Sequence, residues 1–145
     1  MPDEFIAAAL PRRSIATSMR RGARLRCPSC GIGRLFRAYL KVADHCPHCR
    51  EALYHHRADD APPYITILVV GHVIVPLTLV VERLWQPDYW VHVALWLPLT
   101  LVIALTFLPI SKGAIVGLQW ALYMHGFNPQ QEDAPHIDPV WTNTQ

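Results

Sequence analysis

Four cysteines fall in two turns of like sequence, Cys27-Pro28-Ser29-Cys30 and Cys46-Pro47-His48-Cys49, with fifteen residues between the pairs. This spacing suits one tetrahedral Zn²⁺. Two intervening residues let a single turn aim both sulfurs at one ion, and fifteen allow a β-hairpin to bring the second turn back to face the first. Four thiolates close the coordination shell, so the expected ion is structural, with no open position for water or substrate. Its formal charge of about −2 is offset by the nearby Arg26, Arg34, Lys41 and Arg50. His45 and His48 flank the second pair and are assigned to the surface or to contacts around the ligands. A redox pair of CxxC turns is the alternative, but the βαβ pattern that accompanies such sites is not in the sequence.

Other polar residues stand where few charges occur. His72 and His92 lie in two long apolar stretches, and an ionisable group in such a stretch is a functional candidate. Counted back from Glu82 at about 1.5 Å per residue, His72 is about 15 Å deeper than the turn between the stretches. His92 lies close to that turn. The two histidines therefore cannot share one metal or haem in a straight hairpin, whereas Glu82 and His92 are level and can pair. His72 must find a backbone carbonyl, Thr100, Thr106 or another chain. His55, His56, Asp59 and Asp60 crowd the near end of the first stretch as a polar linker or a second metal site. No Ser-His-Asp set, phosphate-cradling glycine loop or isolated carboxylate pair argues for catalysis.

These residues are carried by elements of sharply different composition. Mean hydropathy is only +0.17 although 52% of residues are hydrophobic. Residues 1–60 hold eleven basic and six acidic side chains, for +5, while residues 61–145 hold two and five, for −3. The Phe5–Leu10 apolar stretch precedes the arginines and does not read as a secretory signal. The thiols are expected in a reducing compartment. Residues 1–26 are read as a basic arm, 27–50 as the ribbon and 51–63 as a linker. Residues 61–81 and 89–111 contain no Asp, Glu, Lys or Arg, and each is long enough to cross a bilayer as a helix. The domain 64–111 is thus read as a two-span transmembrane hairpin. The arginines place both termini in the cytoplasm, and Trp85, Tyr89 and Trp90 mark the opposite interface. Pro76 and Pro98 lie at similar depth, where matched kinks keep the helices packed. Residues 112–127 read as an interfacial amphipathic helix with Lys112, Gln119, Tyr123 and Gly126 on its polar stripe. Residues 128–145 read as a disordered tail.

The run Arg26-Cys27-Pro28-Ser29-Cys30-Gly31-Ile32-Gly33-Arg34-Leu35-Phe36, followed by Leu40-Lys41-Val42, resembles an uncharacterised bacterial family, domain-of-unknown-function 983. Cys46, Cys49, Trp85-Gln86-Pro87, Trp90-Val91-His92, Leu95-Trp96-Leu97-Pro98-Leu99, Lys112-Gly113 and Leu118-Gln119 extend the resemblance to about Gly126. His72 departs from it, standing where the family has an apolar residue. So does Ala61-Pro62-Pro63, where the family tends to Gly-Pro-Ala. The resemblance implies a multi-pass protein of the bacterial inner membrane, with some members in the setting of genes for haem–copper oxidase biogenesis.

The reading that follows is a small membrane protein: a cytoplasmic four-cysteine zinc ribbon, a helical transmembrane hairpin and an interfacial helix. Its expected function is that of a non-enzymatic adaptor holding one structural zinc. It would contact membrane lipid and dock on a membrane complex, with a respiratory oxidase under assembly as the candidate. Metal or haem handling by His72, His92 and the His55–His56 cluster is the second expectation. Nucleic-acid binding through the arm is the third, and it is disfavoured because anionic headgroups offer the arginines a nearer partner.

Overall fold

The computed structural model describes residues 10–56, 58 and 60–128. In chain order the elements are α1 (Ile15–Ala23), β1 (Phe36–Ala38), β2 (Lys41–Val42), α2 (Ala61–Trp85) and α3 (Tyr89–Ala121).

Helix α1 starts at Ser14, whose hydroxyl oxygen accepts the Thr17 N–H, satisfying one of the free donors of the first turn. Arg20 and Arg21 in its last turn complement the negative end of the helix dipole. Its buried residues are Ser18 and Gly22, four apart and so on one face. They cross α3 at Gly113 and Gly117. A Cβ on Gly22 would overlap the Gly113 carbonyl, one on Gly113 the Gly22 carbonyl, and one on Gly117 the Ser18 carbonyl. The two backbones touch, and no larger residue is compatible with that separation.

Pro62 and Pro63 occupy the first turn of α2, where a missing N–H breaks no helical bond. The helix ends at Gln86 in the left-handed region (φ +44°), its N–H returned to the Glu82 carbonyl. Residues Pro62, Thr66, Val70 and Ile74 recur every fourth position and form the buried face of α2. There, Thr66 and Ser111 hydroxyls lie 3.2 Å apart, and Thr66 donates to the Pro62 carbonyl. Elsewhere the long helices are open. Both are long and apolar enough to cross a membrane, and side chains such as Leu97 and Trp90 are 66% and 67% exposed. An apolar surface this continuous is stable only under an apolar cover.

β1 and β2 form an antiparallel hairpin, Phe36 opposite Val42 and Ala38 opposite Lys41, with Tyr39 and Leu40 at its tip. The ribbon core gathers Cys27, Leu35, Val42, Cys46, Leu53 and Ala58, and its remaining buried member is Val116 of α3. The ribbon and the last turns of α3 thus share one core.

Three expectations need correction. The arm of residues 1–26 contains a packed helix from Ile15 to Ala23, because Ser18 and Gly22, four apart, give it a small-residue face that meets Gly113 and Gly117 of α3. Residues 112–127 do not form a separate interfacial helix. α3 runs unbroken from Tyr89 to Ala121, and Gly113, Val116, Gly117, Gln119, Trp120 and Ala121 are buried. Helix α1 and the ribbon cover that face, so the stretch carries protein rather than lying on a surface. The boundary at residues 63 and 64 also moves, since α2 begins at Ala61 while Leu53 and Ala58 belong to the ribbon core. The tail at 129–145, residues 1–9 and Asp59 lie outside the described residues.

Gly113→Leu should therefore force α1 away from α3, because the overlap falls on rigid backbone. Tryptic cleavage at Arg20 and Arg21 in the full chain is expected to accelerate at least about tenfold. An unchanged cleavage rate would contradict the close crossing.

Candidate metal centre

The four Sγ atoms lie within 4.8 Å of one another, the one such group of His, Cys, Asp or Glu ligands among the described residues. Cys27 and Cys49 sulfurs are 3.7 Å apart and those of Cys30 and Cys46 are 3.8 Å apart. A disulfide would need about 2.05 Å. A tetrahedron with metal–sulfur bonds of about 2.3 Å has edges of about 3.8 Å. The spacing fits a metal ion and is consistent with zinc.

The two turns are built alike. The Cys27 carbonyl accepts the Gly31 N–H at 2.8 Å, and the Cys46 carbonyl accepts the Arg50 N–H at 3.0 Å. Gly31 (φ +72°) and Arg50 (φ +59°) occupy the same left-handed position after each second cysteine. Strand-like bonds close the turns, from the Cys27 N–H to the Gly33 carbonyl and from the Cys46 N–H to the Glu51 carbonyl. Gly33 is required for a further reason: a Cβ there would overlap the Cys46 sulfur.

Each turn is fastened to a helix. Arg21 of α1 donates to the Pro28 and Ser29 carbonyls at 3.2 and 2.6 Å, holding the first turn. The second is held through Glu51, whose carboxylate accepts the Trp120 indole N–H at 2.7 Å. Trp120 is sandwiched further, because the Arg13 guanidinium lies 3.9 Å from its ring and donates to its carbonyl. That guanidinium also lies 4.0 Å from the Tyr123 ring, and the Tyr123 hydroxyl donates to the Pro11 carbonyl. The hairpin tip supplies a third fastening. Pro109 has no N–H, which leaves the Leu105 carbonyl without its helical donor. The Tyr39 hydroxyl donates to it at 2.7 Å.

The other candidate residues are separate from this centre. Glu82 and His92 do pair, with Nε2 2.8 Å from the carboxylate. The Trp96 indole donates to His92 Nδ1 at 3.0 Å. Indole nitrogen is only a donor, so Nδ1 carries no proton and Nε2–H is the end that faces Glu82. His72 takes the backbone option, its Nδ1 donating to the Leu68 carbonyl at 2.7 Å. It stands on the exposed side of α2, and Nε2 is left as an outward lone pair. A Cβ on Gly71 beside it would meet nothing within 4 Å. His45 and His48 are exposed and not among the grouped ligands. His56 bonds the Leu53 carbonyl, and the His55 ring lies 4.0 Å from that of Tyr54 and 5.8 Å from that of Phe127.

Arg13, Arg21, Tyr39, Glu51 and Trp120 were not singled out by spacing. Except for Arg21, whose partners are seven and eight residues on, their partners are distant in sequence, and most are backbone carbonyls, which no side-chain pattern marks. The four-residue interval from Leu105 to Pro109 does mark a free carbonyl, but not its donor.

The fold and site define a protein of zinc-ribbon type with two candidate membrane helices. Residues 36–120, more than half of the chain, match the family described as protein of unknown function (DUF983), and the chain belongs to that family. Comparison with curated proteins and with solved structures finds no match.

Thiol chemistry gives the site a pH dependence. Burial pushes the Cys27 thiol far up. Partial burial, with the Cys46 sulfur adding to it, pushes Cys49 up. At Cys30 burial acts in the same direction, but the N–H groups of Gly33 and Ile32 outweigh it and bring the thiol down to about 6. Metal must then displace protons from Cys27 and Cys49 near neutrality, and from Cys30 as well below about pH 6. Affinity should fall as pH falls, by at least about a hundredfold per unit near pH 7 for two protons. Competition against a chromophoric chelator at several pH values measures this, and a flat profile would contradict it.

Proposed function

We propose that the chain is a non-enzymatic membrane adaptor: a zinc ribbon fixed on the end of a two-span hairpin, presenting a recognition surface to a membrane protein complex. The observation that carries this reading is the joint arrangement of the cysteines and α3. Four thiolates leave an ion no open position for substrate, so the metal's contribution is shape. The ribbon is fastened at both turns and at its hairpin tip. In this reading α2 and α3 cross the bilayer of a bacterial inner membrane. The arginine-rich end lies in the cytoplasm, and Trp85, Tyr89 and Trp90, all strongly exposed, lie at the far headgroups. A haem–copper oxidase under assembly is the candidate partner.

A second reading, transient metal or haem binding, is favoured by His72. An imidazole whose Nδ1–H is held by a backbone carbonyl presents Nε2 as a ligand lone pair. Purified wild type would then carry copper, iron or haem in addition to the ribbon metal, and His72→Leu would lose it. Metal analysis that finds only the ribbon ion would reject this reading.

Crosslinking in the native membrane, followed by partner identification, tests the adaptor. Wild type should capture a membrane-complex subunit, and Cys30→Ser, which opens the metal site, should lose that capture. The same partner set without the metal would show that the ribbon is not the recognition element. A clean deletion should lower oxidase assembly, and unchanged assembly rejects that choice of partner.

A further inference from the structure

Three arginines share one cavity on the ribbon's flank. It measures about 480 Å³ and is lined by Arg24, Leu25, Arg26, Ile32, Arg34 and Phe36. Backbone pairing builds it: Arg26 and Arg34 face each other across an antiparallel bridge. The Leu35 N–H donates to the Leu25 carbonyl at 3.0 Å. The Arg26 guanidinium is held by the Ile32 carbonyl at 3.1 Å. No carboxylate lines the cavity, and Arg24 and Arg34 make no ion pair among the described residues. The lining is therefore cationic: Arg26 and Arg34 also lie near the charge of a tetrathiolate centre, while Arg24 stands apart from the ribbon's cysteines. It is also amphipathic, since Leu25 and Ile32 are exposed beside the guanidinium groups.

Its level along α3 is given by two contacts. Leu35, bonded to Leu25, packs against Gly113, while Tyr39 reaches Leu105. The eight residues between correspond to about 12 Å of helix, so β1 descends alongside α3. The uncharged stretch of α3 ends at Ser111. The arginine cavity thus stands just beyond the apolar part of the helix, at the level where headgroups would lie, with the hairpin tip reaching further in.

The geometry points to a binding site for a phospholipid phosphate in this cavity. Arg24, Arg26 and Arg34 take the phosphate oxygens, and Leu25, Ile32 and Phe36 take the glycerol and the upper acyl chain. Guanidinium forks match phosphate geometry, which a general positive surface does not. The assignment rests on the membrane-spanning reading of α2 and α3. A free phosphate has the same headgroup chemistry and is distinguished by the test.

The full chain is placed in nanodiscs of phosphatidylcholine doped with phosphatidylglycerol, extracted gently, and its retained lipid counted by native mass spectrometry. Wild type should keep one phosphatidylglycerol. Arg24→Gln/Arg34→Gln should keep at least about tenfold less, while Arg12→Gln/Arg20→Gln, which removes the same charge elsewhere, should keep as much as wild type. Equal loss in both double variants, or loss in neither, overturns the site. Should the first double variant fail to hold metal, Arg24→Gln alone, outside the ribbon, must still lower retention about threefold with metal content unchanged, or the site is overturned. Displacement of the lipid by millimolar inorganic phosphate overturns the lipid assignment in favour of a soluble anion. Carbonate-resistant membrane association of the wild type tests the spans separately. A chain that passes that test and retains no lipid defeats the cavity and leaves the spans standing.

Discussion

The convergence of four sulfur atoms to within 4.8 Å of one another is the constraint from which the amino-terminal half follows. A β-hairpin with two residue pairs and a core of a few aliphatic side chains is too small to hold itself together in water. A metal at the four thiolates ties both turns at once. It also fixes Gly33, which has no room for a side chain beside the Cys46 sulfur. Metal binding and folding of this region are then one event.

The second support is α3. By continuing past Ser111 to Ala121 it gives the ribbon a post, and Val116 enters the ribbon core. Helix α1 locks against the same post through touching backbones at Gly22 and Gly113. Arg21 passes that contact to the first cysteine turn, and Trp120 passes it through Glu51 to the second. Tyr39 adds a bond to the carbonyl that Pro109 leaves free. A proline that would otherwise weaken an apolar helix thus becomes an attachment point, because the unmet acceptor finds a hydroxyl. The ribbon is held in a fixed orientation to α3, which the proposed adaptor role requires and a flexible tether would not supply.

Much of this was legible in the residues themselves. The cysteine spacing, the two uncharged stretches and the level pairing of Glu82 with His92 each rest on short-range geometry, and the structure has all three. The resemblance carried by Trp85-Gln86-Pro87 and Lys112-Gly113 pointed to the family that the chain belongs to. What misled was the segment after Lys112. Its alternation of polar and apolar residues matches a helix lying on a surface as well as one buried against protein. Only the pairing of Ser18 and Gly22 with Gly113 and Gly117 separates the two, and that pairing is between segments about ninety residues apart. The arginines concealed α1 in the same way, since Arg13 and Arg21 spend their donors on carbonyls and rings within the chain.

The four sulfurs are spaced to close the shell of one metal ion and so to order the ribbon on α3. X-ray absorption at the metal edge of the purified full chain reads that shell. One zinc per chain is expected, with four sulfur neighbours at about 2.3 Å and no nitrogen or oxygen in the shell. A nitrogen or oxygen ligand, or a metal other than zinc at the four sulfurs, would contradict it.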